Sequence, residues 1–353
     1  MNKTTIDLES IIIFLCVLFK YLIEYKINTY ILYAIILIIL YFILIRSLLN
    51  LTNRTKILLI SIFLFVTILN VIIYKDVNLL ITLILAVTLI NSDFYNFLRK
   101  FMISSTVMFI ITICLYYLGF LNDNYLIRMT TSGYAIRHSL GFTHPNSVFM
   151  YFLPIVLCNY ILIEDKKKFY IVFLTLSFIL YYISLSRTGI YCVILLFILD
   201  KIKNKINMKT IIRCLPIILF FASYLIAIKF GNARNNHINI LLSDRPYLWN
   251  QIISNLKIFT PFGTNALTEV NLDNFYLSIV YRNGLFNTLI YYSILFFGMK
   301  NIRNKKVCVS IIVFMFYGIA ESNTIIGSIN FTLAILLYSI LNREFKYNGG
   351  NNK

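Results

Sequence analysis

The sequence predicts an all-α, polytopic integral membrane protein of about twelve transmembrane helices, and three observations carry that reading. Hydrophobic residues make up 59% of the 353 residues and charged ones only 13%, against about half and about a quarter in a soluble domain. Uncharged apolar runs of helix length recur from one end of the chain to the other. Several connections between them are short and carry clustered lysines, the pattern of loops held on the cytoplasmic side of a membrane. Mean hydropathy is +0.81.

The apolar runs fall at 8–23, 27–45, 57–74, 77–91, 98–121, 145–163, 169–185, 188–200, 210–230, 275–298, 307–321 and 325–341. The fourth and eighth are short for a span, which needs about 20 residues. The segment Ser10 to Phe19 has the apolar character of a signal-peptide core. Lys20 and Glu24 follow it, with no small-residue cleavage site, so it reads as a retained helix. Residues 1–345 then form one helical membrane domain, and 346–353 form a polar, Asn/Gly-rich tail.

Charge sets the orientation. With both termini cytoplasmic, the cytoplasmic segments hold 21 of the 32 Lys and Arg residues, in clusters such as Lys166-Lys167-Lys168 and Lys201/Lys203/Lys205. Heavy use of Ile, Lys, Asn and Tyr suits an AT-rich bacterial genome, and the expected location, with this topology, is the bacterial cytoplasmic membrane. Two long external loops result, 122–144 and 231–274. Six of the 11 external cations are arginine, against 6 of 21 inside. The planar arginine fork matches phosphate and carboxylate oxygens, so this bias points to an anionic ligand outside. The net charge of +18 does not imply nucleic acid, because no aromatic-basic platform or nucleic-acid motif lies outside the spans. The six cysteines all lie in apolar runs without metal-ligand spacing. They read as packing residues, and no metal or cofactor is expected.

Three constellations carry candidate chemistry. Arg137 through Asn146 ends the first external loop. Pro145 suits a first helical turn, with Thr143 or His144 near the cap, and His144 is either an anion or proton site or a plain interfacial cap. Ser184-Leu185-Ser186-Arg187-Thr188-Gly189 places Arg187 between two apolar helices, where a charge either functions or snorkels. Gly189 allows close backbone approach. The loop 231–274 brings Arg234, His237, Asp244, Arg245, Glu269, Asp273 and Trp249, the single tryptophan. Ser243 or Asp244 is a candidate cap, with Pro246 in the first turn. Leu248, Ile252 and Leu256 recur at helical spacing beside Trp249, giving an amphipathic helix on the outer interface. Thr260-Pro261-Phe262-Gly263 ends it as a turn. Asp273-Asn274 leads into the tenth span, and Arg282 lies about 12 Å further along that helix at 1.5 Å per residue.

With these residues in order, the chain resembles the Wzy-type polysaccharide polymerases, relatives of the O-antigen ligases. The resemblance rests on Gly141-Phe142-Thr143-His144-Pro145-Asn146, Ser186-Arg187-Thr188-Gly189, Leu242 through Trp249, and Asp273-Asn274-Phe275-Tyr276-Leu277 with Asn283-Gly284-Leu285. It covers the topology of the whole chain. Gly263-Thr264-Asn265 departs from the family, with Asn where a second glycine is usual. The resemblance implies transfer of a growing glycan from undecaprenyl pyrophosphate to the next lipid-linked repeat unit, for capsule, exopolysaccharide or O-antigen, with a flippase and a chain-length regulator as partners. The expected enzyme is a membrane glycosyltransferase, metal-independent because no carboxylate metal site is evident, and inverting if the donor is attacked directly. Arg187 and Arg245 would stabilise the leaving pyrophosphate and Asp273 would take the acceptor proton, with Asp244 or His144 as alternatives. Arg137, His144, Asn146, Asp244, Trp249, Asn274 and Arg282 would contact substrate. Two other readings stay open: a flippase for lipid-linked oligosaccharide, and an O-antigen-type ligase.

Overall fold

The computed structural model describes residues 8–25, 34, 37–38, 41, 54–74, 77–90, 92–130, 133–233, 238–239, 242, 244–255, 260–261, 273–281, 284–322 and 329–341. Within them lie thirteen helices and one hairpin. They are α1 (Leu8–Glu24), α2 (Arg54–Tyr74), α3 (Asn78–Ile90), α4 (Phe94–Tyr117), β1 (Leu126–Thr130), β2 (Gly133–Arg137), α5 (Pro145–Leu162), α6 (Lys166–Ser184), α7 (Arg187–Ile202), α8 (Met208–Phe230), α9 (Arg245–Asn255), α10 (Phe275–Tyr281), α11 (Gly284–Gly298), α12 (Lys305–Tyr317) and α13 (Phe331–Leu341). The structure is predominantly helical, as expected. Among the described residues four helices, α4, α5, α6 and α8, are long and apolar enough to cross a membrane. The run 27–45 lies almost wholly outside the described residues, as do Arg234, His237, Glu269 and Arg282.

Sixteen of the 18 residues of α5 are buried, so it is the central helix, apolar on every side. By contrast, α6 and α8 expose Ile171, Phe178, Ile179, Ile217, Phe221 and Leu225. Large apolar side chains facing outward over whole helices suit lipid rather than water as surroundings. Gly189 is the packing point between α7 and α5: an added Cβ would lie 2.0 Å from the Phe149 ring. The close approach expected at Gly189 is thus to a neighbouring helix.

Two departures from the sequence reading concern the loops. Loop 122–144 is not wholly irregular, because β1 and β2 pair antiparallel with Leu126 opposite Arg137. The run 275–298 is not one continuous helix. Gly284 is left-handed at φ +83°, and the amides of Leu285 and Phe286 donate to the carbonyls of Thr260 and Pro261 at 3.2 and 3.1 Å. Loop 231–274 therefore folds back and caps α11, satisfying N–H groups that a helix start leaves open.

Among the described residues, the connections after α5, α7 and α11 gather at one end of the bundle. At the lysine-rich end, Lys306 donates to Ile163 O at 2.8 Å, Lys305 to Asn204 at 3.0 Å and Lys209 to Lys300 O at 3.2 Å. Asp200 there receives Lys166 at 3.2 Å and also pairs with Lys203. The opposite end carries the hairpin, the α6–α7 turn, α9, and the segments before α10 and after α12.

Candidate functional site

At that second end, short turns with forced backbone place the polar side chains. Among the described residues three non-glycine positions have positive φ: Leu140 (52°), Leu185 (47°) and Asp244 (60°). Each costs about 1–3 kcal/mol and persists only where its surroundings impose it. Leu140 lies between Arg137 and His144, Leu185 ends α6, and Asp244 precedes Arg245.

Leu185 turns the chain so that the Ser184 carbonyl faces the hairpin, where Arg137 Nε donates to it at 3.0 Å. The other edge of the same guanidinium reaches Asn146 Oδ1 at 2.5 Å. Asn146 passes the link on, its Nδ2 donating to Glu321 Oε1 at 2.8 Å. Arg245 Nη2 lies 3.7 Å from that same oxygen. Tyr317, at the end of α12, donates to the Asn146 carbonyl at 3.3 Å. A chain thus runs Arg137–Asn146–Glu321–Arg245, joining residues from the hairpin, α5, the segment after α12, and α9.

Asp273 completes the group. Its neighbour Asn274 is fully buried; its Nδ2 donates to Ser223 Oγ at 2.9 Å and to Ile319 O at 3.0 Å. Its Oδ1 accepts from Leu277 N, capping α10. The Phe275 amide donates to Gly318 O at 2.8 Å. These bonds fix the segment carrying Asp273 against the segment carrying Glu321.

The charges act on one another. Burial pushes the Glu321 carboxyl up to about 8 and the nearby Asp273 charge adds to this, against the pull of Arg245, Asn146 and Arg137. Burial also raises Asp273, while Arg245 holds it down. His144 is lowered to about 4 by burial first and then by Arg137 and Arg245. It is the N-cap of α5, its Nδ1 accepting from the Asn146 amide at 3.0 Å. A ring nitrogen accepting a backbone bond and surrounded by cations stays unprotonated, so His144 positions Asn146 rather than shuttling a proton.

The structure brings together Arg137, His144, Asn146, Arg245 and Asp273. It moves others. Arg187 is exposed at the start of α7 and makes no hydrogen bond or ion pair among the described residues; in this network Arg137 takes the place expected for Arg187. Trp249 is 3% exposed and belongs to the apolar core with Ile252 and Ile253, so it packs α9 down. Leu248, expected on the apolar stripe, is exposed. Asn274 positions the loop rather than facing a ligand. Asp244 takes a left-handed turn, its amide donating to Asn239 O at 2.7 Å. His138, beside the network, pairs with Asp123 at 2.5 Å and braces the first loop.

Two residues were missed. Asn239 is fully buried; it donates to the carbonyls of Phe230 and Ala233 and accepts from Tyr247 N, joining the end of α8 to α9. Glu321 is the centre of the cluster. It is the only acidic residue between Asp273 and Glu344 and follows a 14-residue run without charge, a signal that marks an ionisable group at a membrane helix end as functional.

Among the described residues no three His, Cys, Asp or Glu side chains are grouped so as to hold a metal ion. No family model, curated protein or solved structure matches the chain.

Proposed function

We propose that the protein polymerises lipid-linked oligosaccharide repeat units at the outer face of the bacterial cytoplasmic membrane, transferring the growing glycan from undecaprenyl pyrophosphate to the next unit. The observation that carries this reading is the Arg137–Asn146–Glu321–Arg245 chain with Asp273 beside it. It sets two forked cations against a buried carboxyl of high proton affinity at one end of an apolar helical bundle. A lipid carrier delivers its pyrophosphate at such an end.

In the proposed reaction an acceptor hydroxyl attacks the anomeric carbon of the donor glycan. The bond from that carbon to the pyrophosphate oxygen breaks, and its electron pair leaves with the lipid pyrophosphate. Arg245 and Arg137 receive the developing negative charge, for which bidentate guanidinium is suited. The hydroxyl proton passes to ionised Glu321. An acid titrating near 8 is ionised to about a tenth at pH 7 and is strongly basic when it is, the balance a general base needs. Asp273 keeps that proton affinity high. Displacement in one step inverts the anomeric configuration.

The test is reconstitution of the purified full chain in vesicles with one defined repeat unit on undecaprenyl pyrophosphate. A ladder of longer lipid-linked glycans with inverted linkages is expected. Movement of the unit across the bilayer without new glycosidic bonds would make the protein a flippase. Transfer only to a non-repeat acceptor would make it a ligase.

A further inference from the structure

A second site lies at the opposite, lysine-rich end. Between α8 and α11 is a cleft of about 370 Å³ whose walls include Arg213, Ile217, Leu289, Tyr292, Ser293 and Phe296. Arg213 is the sixth residue of α8, and its guanidinium lies over the Phe296 ring at 5.0 Å. That contact is to a ring and supplies no hydrogen-bond acceptor for the guanidinium N–H groups. The Arg213 Nε is buried and has no hydrogen-bond partner among the described residues. No described carboxylate pairs with the side chain.

A cation in an apolar cleft is costly without an anion. The cleft itself says what kind. Ile217, Leu289 and Phe296 are 50%, 60% and 53% exposed, so its walls open outward on the apolar flank of the bundle rather than into an aqueous cavity. Lys209, one helical turn before Arg213 and on the same face, donates to Lys300 O at 3.2 Å. This bond holds a second cation one turn from Arg213, with ammonium donors to spare. The arrangement is a cation inside an apolar cleft, with a second cation one helical turn closer to the lysine-rich loops.

We propose that this cleft is a binding site for an anionic phospholipid of the cytoplasmic leaflet. The lipid phosphate sits on Arg213, one helical turn from Lys209, and an acyl chain lies along Ile217 and Leu289. The site is separate from the Glu321 cluster and does not depend on the reaction proposed for it.

Native mass spectrometry of the full chain in neutral detergent tests this, titrating phosphatidylglycerol, phosphatidylcholine or inorganic phosphate. The wild type is expected to retain phosphatidylglycerol in preference to phosphatidylcholine, with inorganic phosphate failing to displace it. Arg213→Gln should weaken retention about tenfold, or about 1.4 kcal/mol, and Leu289→Trp, which fills the channel but keeps both cations, should weaken it comparably. Unchanged retention in Arg213→Gln, or equal retention of phosphatidylcholine, would overturn the proposal. Displacement by millimolar inorganic phosphate would replace the lipid with a free-anion site. If Arg213→Gln does not fold, the exposed position of Leu289 lets Leu289→Trp decide alone: retention at the wild-type level contradicts the proposal.

Discussion

Asn146 Nδ2 donates to Glu321 Oε1 at 2.8 Å across 175 residues of sequence, while Asn146 Oδ1 accepts from Arg137 at 2.5 Å. One amide thus couples a cation to a buried carboxyl without letting them meet. Asn146→Leu keeps the volume and removes both bonds. Stability should fall by on the order of 2 kcal/mol, because the buried charged partners each lose a bond. Thermal unfolding in detergent checks this, and an unchanged Tm would mean that the amide is not structural.

The proton affinity of Glu321 sets a pH limb. The polymerisation rate should rise with pH through about 8, as the carboxylate forms. Asp273 raises that affinity, so Asp273→Asn should shift the limb to lower pH, with the pH–rate profile as the readout. The same shift governs stability. Because the folded carboxyl binds its proton more tightly than an unfolded one, its contribution is fully present below the ordinary carboxylate range. That contribution is lost as pH rises through about 8. Wild-type Tm should therefore decline over that interval relative to Glu321→Gln.

The arginines differ. Arg137→Gln and Arg245→Gln should each lower the rate by about 10²-fold or more, the scale of a lost charge-stabilising donor. Arg187→Gln, exposed and outside the network, should cost less than about tenfold. Steady-state rates on a defined lipid-linked unit separate the cases, and an Arg187 effect larger than that of Arg137 would reverse the assignment.

Gly231 fixes the loop helix. A Cβ there would stand 2.3 Å from Ala227 O, 2.3 Å from Asn250 Cβ and 2.4 Å from Pro246 O, two of them backbone atoms that cannot turn aside. Gly231→Ala should push α9 away from α8 at a cost of about 1–3 kcal/mol. Trp249, the single tryptophan, is buried against the core, so its emission should shift to longer wavelength; unshifted emission would contradict the packing.

The helical bundle was legible because membrane helices announce themselves by length and apolarity, and lysine clusters divide the ends. Much of the cluster was legible as well: Arg137, Asn146, Arg245 and Asp273 stand out as polar residues where apolar runs stop. Other features were not, each for a local reason. Trp249 looked like a ligand because it is unique, but only packing decides which face of a short helix turns inward. The hairpin was hidden because Leu126–Thr130 and Gly133–Arg137 are short and mixed in character. Gly284 interrupts a run that is apolar on both sides, and hydropathy does not sense a left-handed residue. Glu321 reads in the sequence as the last residue of the run 307–321, and only the fold of the segment after α12 turns it toward Asn146 and Arg245.

The central claim is that Glu321 takes the acceptor proton within the Arg137–Asn146–Glu321–Arg245 chain. Its most direct test is single-turnover formation of the first glycosidic bond by Glu321→Gln, with folding verified by Trp249 emission. Gln keeps the size and the hydrogen bond from Asn146 but cannot accept a proton. The account predicts a loss of about 10²-fold or more, with lipid-linked substrate still bound. Bond formation at the wild-type rate would contradict it.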